Sequence, residues 1–260
     1  MRYRLGTIGF SYPEWVGGFY PRDLKATEYL SFYARYFDCV ELDTTFHAVP
    51  PAATVRRWAA QVPDDFRFAV KCPRTVTHEG RIDAQISVMS AFLDVMRELG
   101  GKLGPVLLQF PPSFRAAELD RLSAFLGKLP RVRYAVEFRH DSWLNDRTTA
   151  MLKEQRVCWA VGDYATPPEP VRVTTDFLFI RWIGIHHRFE RLDIEQIDVT
   201  DRLRSWKTQF EQAPAGVKEI WAFVNNDFSG YAIGTANRMK RLLGLPASEP
   251  KAEDRGELFG

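Results

Sequence analysis

The sequence predicts an α/β protein, namely a single-domain TIM-type (β/α)8 barrel. Three observations support this prediction. Eight short runs rich in β-branched and aromatic residues alternate with segments that have the length and periodicity of helices. Several loops that follow the strands are long, whereas many loops that precede them are short. Most of the strands end in a polar or ionisable residue, which is typical of barrels with a functional site at the carboxyl ends of the strands.

The strands and helices alternate along most of the chain. The predicted strands cover residues 5–10, 39–43, 66–71, 105–110, 134–138, 157–162, 177–182 and 220–225. The predicted helices cover residues 26–37, 52–61, 83–99, 117–128, 144–155, 200–212 and 230–243. The link DYATPPEPVRVTTD after the sixth strand contains too many prolines for a full helix. An open doubly wound sheet is the alternative, but the first strand lacks the glycine-rich GxGxxG turn that such sheets usually carry.

Composition and charge favour a cytoplasmic protein. Of the 260 residues, 45% are hydrophobic and 26% are charged, and the formal net charge is +2. This balance argues against a strongly basic protein that binds nucleic acid without specificity. The N-terminus lacks an apolar stretch of signal-peptide length, and no run reaches the ~20 apolar residues of a membrane span. Cys39, Cys72 and Cys158 show no CxxC spacing, so we expect reduced, mostly buried thiols.

The domain organisation is predicted to be simple. We expect residues 1–246 to form the barrel domain. Residues 247–260 are predicted to form a flexible tail, because the last segment is polar, charged and rich in turn-forming residues. The sequence leaves the oligomeric state open.

Polar residues stand at the carboxyl ends of most predicted strands. Alternate side chains of a strand face opposite sides, so we expect Ala135, Glu137 and Arg139 to face the barrel axis. The polar residues at the strand ends are Glu41, Asp43, Lys71, Gln109, Glu137, Arg139, Asp163, Arg181 and Asn225. Because the ends of barrel strands converge, these residues are predicted to share one site. The alternative is an internal ion-pair network that only fills the barrel.

The loops that follow the strands contribute aromatic, histidine and amide side chains. The substrate-binding candidates in these loops are Tyr12, Trp15, His78, Trp143, Asn226 and Asp227. Aromatic walls with a few polar groups suit a small polar ring or a sugar. Asp227 and Ser229 also stand near the start of a predicted helix, where the backbone binds anions, and each would equally serve as a helix cap.

Acid/base catalysis is the chemistry that these residue types favour. We expect Glu137, held ionised by Arg139, to be the acid/base carboxylate, with Glu41 or Asp163 as the second carboxylate. Lys71 has the position of a Schiff-base lysine, but we expect it to pair with a carboxylate instead. The substrate-binding candidates on the strand ends are Arg139, Arg181, Gln109 and Asn225. The predicted substrate is small and polar or anionic, and sugar-like or nucleotide-like.

No cofactor is predicted from a short motif. A divalent metal is an alternative, because His78, His140, Glu41, Glu137 and Asp163 are potential ligands. However, HxH and HExxH patterns are absent, and the cations expected at the same place oppose a metal ion. A second alternative is a nucleic-acid or nucleotide-binding module without catalysis, whose strand ends hold a flipped nucleotide.

Seven segments in order resemble the YecE-like family, also called domain of unknown function 72. The segments are GFSYPEWVGGFYP (9–21), VELDTTFHAVP (40–50), FRFAVKCPRTVTH (66–78), LGPVLLQFPPSF (103–114), YAVEFRHDSW (134–143), FIRWIG (179–184) and FVNNDFSGYAIGTANRMKRLL (223–243). The resemblance implies a TIM-type barrel and brings no firmly established reaction. Similar barrels of the xylose-isomerase and endonuclease type often use metals, so a metal-dependent hydrolase or isomerase is a further alternative.

The sequence departs from the family pattern at two places. His47 stands where relatives often have a tyrosine, so we do not expect a family-wide catalytic role for it. The segment RWIGIHH replaces a frequent Arg-His-Gly ending, which leaves no expected role for a histidine beside Arg181.

Overall fold

The computed structural model describes residues 1–164 and 170–250. The strands are β1 (Arg2–Thr7), β2 (Cys39–Leu42), β3 (Arg67–Lys71), β4 (Leu103–Gln109), β5 (Tyr134–Glu137), β6 (Cys158–Trp159), β7 (Val161–Asp163), β8 (Phe177–Trp182) and β9 (Glu219–Val224). The helices are α1 (Tyr29–Tyr33), α2 (Thr44–His47), α3 (Ala52–Ala60), α4 (Arg74–His78), α5 (Ile86–Met96), α6 (Leu119–Leu126), α7 (Asp146–Gln155), α8 (Thr200–Glu211) and α9 (Ala232–Leu242). Short 3₁₀ turns lie between several of these elements.

The strands pair in parallel and form two sheets. One sheet has the order β1-β9-β8-β7 and the other has the order β2-β3-β4-β5-β6. The prediction of an α/β fold with parallel strands is therefore confirmed. Parallel neighbours need a crossover, and helices or loops supply one after nearly every strand, as the alternating sequence pattern predicts.

Two features connect the sheets into a cyclic order. An isolated parallel bridge pairs Ile8 with Glu41, and the Gly9 N–H donates to the Glu41 carbonyl at 2.8 Å. On the opposite side, β6 pairs with β5 and β7 pairs with β8, and only Ala160 separates β6 from β7. The sixth predicted strand is thus one segment that changes partner at Ala160. The resulting order is that expected of the predicted barrel.

The seam between β1 and β2 depends on a close approach of two backbones. A Cβ atom built on Gly6 would lie 2.3 Å from the carbonyl oxygen of Cys39. No side chain fits at that distance, so only glycine permits β1 to lie this close to β2. We infer that Gly6 is required for the two sheets to meet.

Two hydrophobic clusters lie on opposite faces of the strands. The outer cluster packs the strands against the helices and includes Val40, Leu42 and Val136. The inner cluster consists of Ile8, Cys39, Ala69, Leu107, Ala135, Cys158, Ala160, Phe177, Phe179, Ile183, Trp221 and Phe223. The twofold period of a strand explains why neighbours such as Cys39 and Val40 belong to different clusters. Burial of both clusters supplies the main favourable free energy of folding.

All three cysteines are buried and free, as expected. Burial raises the pKa of the Cys72 and Cys158 thiols to about 12. In the part of the chain that the structure describes, no helix is both long and apolar enough to cross a membrane.

The predicted tail begins with residues that contact α9. The Asn237 amide donates to the Ser248 carbonyl at 3.2 Å, and Arg241 donates to the Glu249 carboxylate at 2.6 Å. The rest of the predicted tail, residues 251–260, lies outside the described residues.

Candidate functional site

Five strands carry a polar residue two positions after a member of the inner cluster. The polar residues Glu41, Lys71, Gln109, Glu137 and Arg181 follow Cys39, Ala69, Leu107, Ala135 and Phe179 in the same order. Because side chains of a strand alternate, these five residues lie on the inner face, at the carboxyl ends of their strands. We call them the mouth layer. The predicted convergence of these five strand ends is present in the structure.

Arg181 lies at the centre of the mouth layer and binds two carboxylates. Its Nε donates to the two oxygens of Glu41 at 3.1 and 3.0 Å, and its Nη2 donates to Glu41 Oε1 at 2.8 Å. Its Nη1 donates to Glu137 Oε2 at 2.9 Å. Glu41 and Glu137 are 0% and 1% exposed. The planar guanidinium satisfies both carboxylates, which offsets much of the free-energy cost of burying them.

Glu137 has two further partners, Arg139 and Tyr164. Arg139 Nε donates to Glu137 Oε1 at 2.6 Å, and the Tyr164 hydroxyl donates to the same oxygen. Burial alone would raise the pKa of Glu137, but Arg181, Arg139 and the Tyr164 hydroxyl outweigh it and lower the pKa to about 2. This environment favours a permanently ionised Glu137 over the predicted acid/base role.

The pKa of Glu41 is shifted in the opposite direction, upward. Burial raises its pKa, although Arg181 opposes that rise. Asp43, which follows β2, raises the pKa of Glu41 further by like-charge repulsion. The two carboxylates that share Arg181 therefore differ in proton affinity.

Lys71 is a cation of the mouth layer that lacks a carboxylate partner among the described residues. Its Nζ lies 3.9 Å from the centroid of the Phe46 ring. No carboxylate within residues 1–164 and 170–250 lies within 4.0 Å of it. The predicted pairing of Lys71 with Glu41 or Glu137 is therefore wrong, because Arg181 and Arg139 occupy the carboxylates.

The surroundings of Lys71 disfavour its charged form. Burial and then Arg181 lower its pKa from 10.5 to about 8, although Glu41, Glu137 and Asp43 oppose that shift. His78 packs against the same Phe46 ring, with 5.0 Å between ring centroids. Burial lowers the pKa of His78, and so does Lys71.

A cleft of about 520 Å³ lies between the loops that follow β1 and β2 and the helices α1 and α3, and no residue of the mouth layer lines it. Its lining residues are Gly9, Phe10, Ser11, Tyr12, Ala26, Thr27, Leu30, Leu42, Asp43, Thr44, Arg57, Trp58 and Gln61. Tyr12 donates its hydroxyl to the Ile8 carbonyl at 2.7 Å. Burial raises the pKa of Tyr12, and so do Asp43, Asp227 and Glu41. The predicted placement of Tyr12 near the strand ends agrees with these contacts.

Asp163 lies on the face opposite the one that was predicted. Its carboxylate accepts hydrogen bonds from Arg202 Nε at 2.9 Å and from Trp206 Nε1 at 2.7 Å, and both donors belong to α8. Val161, two positions earlier in β7, belongs to the outer cluster. Strand alternation therefore turns Asp163 toward the helices, and it is not a member of the shared site.

Two predicted aromatic residues are also buried on the helix side. Trp15 and Trp143 are both 0% exposed and belong to the outer cluster. Trp143 stacks on Phe138 with 4.1 Å between ring centroids, and its Nε1 donates to the Phe114 carbonyl. Neither tryptophan walls the mouth layer, because loop aromatics near a strand end also complete the packing beneath the helices.

The predicted binding residues after β9 act as caps. Asn225 Oδ1 accepts from the Asp227 N–H at 2.9 Å. Asn226 Oδ1 accepts from the N–H of Ala232 at 3.0 Å, where α9 begins, and from Trp15 Nε1 at 3.2 Å. Asp227 lies 3.4 Å from His186 Nδ1. Asn225 and Asn226 therefore act as caps, whereas the capping alternative had named Asp227 and Ser229.

The potential metal ligands are spread over different parts of the fold. His140 Nδ1 lies 2.9 Å from Ser142 Oγ and accepts from the Ser142 N–H. Asp163 faces α8. Across residues 1–164 and 170–250, no group of three or more His, Cys, Asp and Glu side chains is arranged to hold a metal ion.

Tyr164 is the site residue that sequence reasoning missed. It follows Gly162 by two positions, so it extends the inner face of β7, and it packs against the inner cluster. An aromatic residue two positions beyond an inner position was the available signal. The proline-rich link that begins there concealed it.

Comparison with known proteins identifies relatives that match most of the chain. The family described as "Protein of unknown function DUF72" matches residues 4–257. The chain is 39% identical over 137 residues to the UPF0759 protein YecE of Escherichia coli strain K12, and this match covers 52% of the chain and 48% of YecE. The chain therefore spans about half the length of YecE in this match. The chain is 24% identical over 269 residues to the UPF0759 protein YunF of Bacillus subtilis, with 88% of the chain and 91% of YunF covered.

Solved structures of DUF72 family proteins have the same fold. A protein from Thermotoga maritima has a TM-score of 0.77 and 28% identity, and the match covers 94% of this chain and 100% of that one. A protein from Enterococcus faecalis has a TM-score of 0.74 and 23% identity, with 94% and 98% covered. The resemblance predicted from seven segments is thus confirmed. The family match over residues 4–257 shows that this chain belongs to DUF72, a family of unknown function.

Proposed function

We propose that this protein is an enzyme that acts on a small polar or anionic substrate at the mouth layer, with the Lys71 amine as the proton-transfer group. The observation that carries this proposal is an amine that is buried among charges yet has no carboxylate partner among the described residues. Lys71 is 9% exposed, whereas Glu41 and Glu137 are sealed from water and bound by arginines. Lys71 therefore replaces Glu137 as the acid/base candidate.

The proton affinity of Lys71 suits this role. A general base is most effective when its pKa lies near the working pH, because it is then both basic and partly unprotonated. Burial and Arg181 lower the pKa of Lys71 to about 8. Most molecules then carry the ammonium form at physiological pH, but the neutral share is far larger than for an ordinary lysine.

Arg139 is the best candidate for binding an anionic group of the substrate. It uses Nε on Glu137 and rests on the Tyr164 ring, with 4.0 Å from its Cζ to the ring centroid. Its side chain is 24% exposed, in contrast to Arg181 at 4%. Its terminal nitrogens have no hydrogen-bond partner in the described ranges, so an incoming carboxylate or phosphate can bind there.

Exchange of substrate hydrogens with solvent tests this proposal. Small aldoses, ketoses, 2-oxo acids and their phosphates are incubated with the protein in D₂O, and deuterium uptake at carbon is followed by ¹H NMR. We expect uptake into at least one compound, a fall of about 100-fold in Lys71→Met, and a rate that rises as the pH passes the pKa of Lys71.

Lys240→Met is the matched control, because Lys240 is equally buried but lies away from the mouth layer. Its uptake rate should stay within about twofold of the wild-type rate. Equal uptake by the wild type and Lys71→Met, or no uptake into any compound, would contradict the proposal.

A further inference from the structure

Two lysines of this protein have almost the same burial and the same kind of contact with a phenylalanine ring, but different hydrogen bonds. Lys71 and Lys240 are 9% and 8% exposed. Their Nζ atoms lie 3.9 and 4.0 Å from the centroids of the Phe46 and Phe37 rings. Lys240 Nζ donates to the Tyr36 carbonyl at 2.9 Å. Lys71 Nζ has no such acceptor in the described part of the chain, so its amine is not held by a hydrogen bond.

The neighbours of Lys71 keep its amine available. The two sealed carboxylates are occupied by Arg181 and Arg139, so neither can hold the Lys71 ammonium. The cationic Arg181 disfavours a second positive charge at this place. An amine that is desolvated and lies close to another cation is activated as a nucleophile. Burial also lowers the pKa of Lys240, but Cys39 and Asp38 oppose that shift, and the Tyr36 carbonyl holds the Lys240 amine.

We propose that Lys71 forms a covalent imine with a small aldehyde or ketone that carries an anionic group. This proposal rests on the proposed function, since it names the chemistry and substrate class of the same site. The neutral Nζ attacks the carbonyl carbon with its lone pair, and the carbonyl oxygen takes up a proton. Nitrogen releases one proton to give a carbinolamine. Its hydroxyl oxygen then takes up a second proton and leaves as water, while the nitrogen lone pair forms the carbon–nitrogen double bond and nitrogen loses its second proton. The step consumes no oxidant or reductant.

The anionic group is assigned from the position of Arg139. Arg139 is the partly exposed cation beside the sealed Glu137, and it lies close enough to His78 to lower the pKa of that side chain, as Lys71 does. A carboxylate or phosphate on Arg139 would hold a carbonyl group near the Lys71 amine. This arrangement favours small 2-oxo acids and phosphorylated aldehydes over neutral carbonyl compounds.

Reductive trapping on the full chain tests the imine. The protein is incubated at pH 7.5 with glyoxylate, or with neutral glycolaldehyde, in the presence of cyanoborohydride, which reduces the imine to a stable secondary amine. Intact mass and peptide mapping then locate the adduct. We expect Lys71 to be labelled about tenfold faster than Lys240 and than the exposed Lys25 of the same molecule. Glyoxylate should label Lys71 faster than glycolaldehyde does, and Arg139→Met should remove that preference.

Two variants complete the test. Lys71→Arg keeps the charge and should lose the adduct, whereas Lys240→Met should keep it. Labelling of Lys71 no faster than that of Lys25 would overturn the imine proposal. Deuterium uptake that depends on Lys71 without a trapped adduct would overturn the imine and leave the proposed function standing. An adduct without any uptake would support the imine and overturn proton transfer by Lys71.

Discussion

The amino end and the carboxyl end of the strands both carry charged inner residues, but water reaches them differently. At the amino end, Arg4 donates to the Asp38 carboxylate at 2.7 Å, and the Asp38 side chain is 38% exposed. Arg133 pairs with Glu219, and these side chains are 40% and 23% exposed. In the mouth layer, by contrast, Arg181 and both of its carboxylates are almost completely sealed from water.

The partners of the two buried arginines differ in kind. Arg4 also donates to the backbone carbonyls of Asp38 and Asp65 at 3.2 and 2.8 Å. The partners of Arg4 at the amino end are therefore two neutral carbonyls and one carboxylate that solvent screens. Arg181 binds two carboxylates that are buried. Loss of one partner should cost little unfolding free energy at the amino end, where solvent screens the charges. In the mouth layer it leaves a buried charge without its partner, which costs much more.

Lys240 and Lys71 differ between the amino end and the carboxyl end in the same way as the arginines. Near the amino end of β2, the Lys240 amine donates to the Tyr36 carbonyl. Lys71 lies in the mouth layer and has no carboxylate partner in the described ranges. An ion-pair network that only fills the barrel is expected to satisfy its buried charges, and the Lys71 amine has neither a carboxylate nor a carbonyl partner among the described residues. The comparison therefore favours a chemical role for the carboxyl end and a structural role for the amino end.

The largest expected effect is the difference in unfolding free energy between Arg181→Met and Arg4→Met. Arg181→Met leaves Glu41 and Glu137 buried without their shared cation, so we expect the free energy of unfolding to fall by about 3–5 kcal/mol. Arg4→Met should cost about 1–3 kcal/mol, because it leaves two carbonyls unsatisfied and one carboxylate that water solvates. Urea denaturation of both variants at about pH 7 measures this difference.

The pH dependence of Arg181→Met provides the control. Without Arg181 the two carboxylates have raised pKa values, so they take up protons as the pH falls and the loss should shrink below about pH 6. The conservative Arg181→Lys variant extends the test if Arg181→Met does not fold. Equal losses at the two ends, independent of pH, would remove the basis of the comparison.

Lys71→Met is expected to have a smaller effect, and it should raise the free energy of unfolding. The pKa of Lys71 is lowered from 10.5 to about 8, so between these pH values the unfolded chain holds a proton that the folded chain has released. Below that window both states are protonated and the full cost of the buried charge remains. The variant should therefore gain about 1–3 kcal/mol of unfolding free energy at about pH 7.

This gain should fade as the pH rises from about 8 to 10.5, because the wild type itself becomes more stable there. Urea denaturation across this range measures it. A gain that does not change with pH would mean that Lys71 has an ordinary pKa. The argument for a reactive amine would then fail.

The smallest effect concerns Tyr164. Tyr164→Phe removes one hydrogen bond to Glu137, so we expect a loss of about 1 kcal/mol of unfolding free energy and a rise in the pKa of Glu137. A ¹³C NMR titration of the glutamate carboxyl groups reports that rise. Tyr134→Phe is the matched control at the amino end, where the hydroxyl donates to the Pro130 carbonyl at 2.7 Å. It should cost a similar free energy and leave the pKa of Glu137 unchanged.

The errors of the sequence prediction have physical causes. Asp163 was assigned to the inner face because it directly follows the sixth strand, whereas alternation from the inner residues Cys158 and Ala160 turns it toward the helices. Trp15 and Trp143 follow strands in loops, where no periodic rule tells which face a side chain covers. Tyr164 was missed because it opens a proline-rich link rather than ending a regular strand.

The sequence by itself determined the alternation of strands and helices and included the five residues of the mouth layer among its nine strand-end candidates. Both follow from local periodicity, since a residue two positions after an inner Ala or Cys must also face inward. Only the tertiary structure decided which cation binds which carboxylate. Arg181 is 140 residues from Glu41 and 44 residues from Glu137 along the chain, so the cyclic strand order sets these distances. The unpaired amine of Lys71 is a consequence of that competition, which no local pattern encodes.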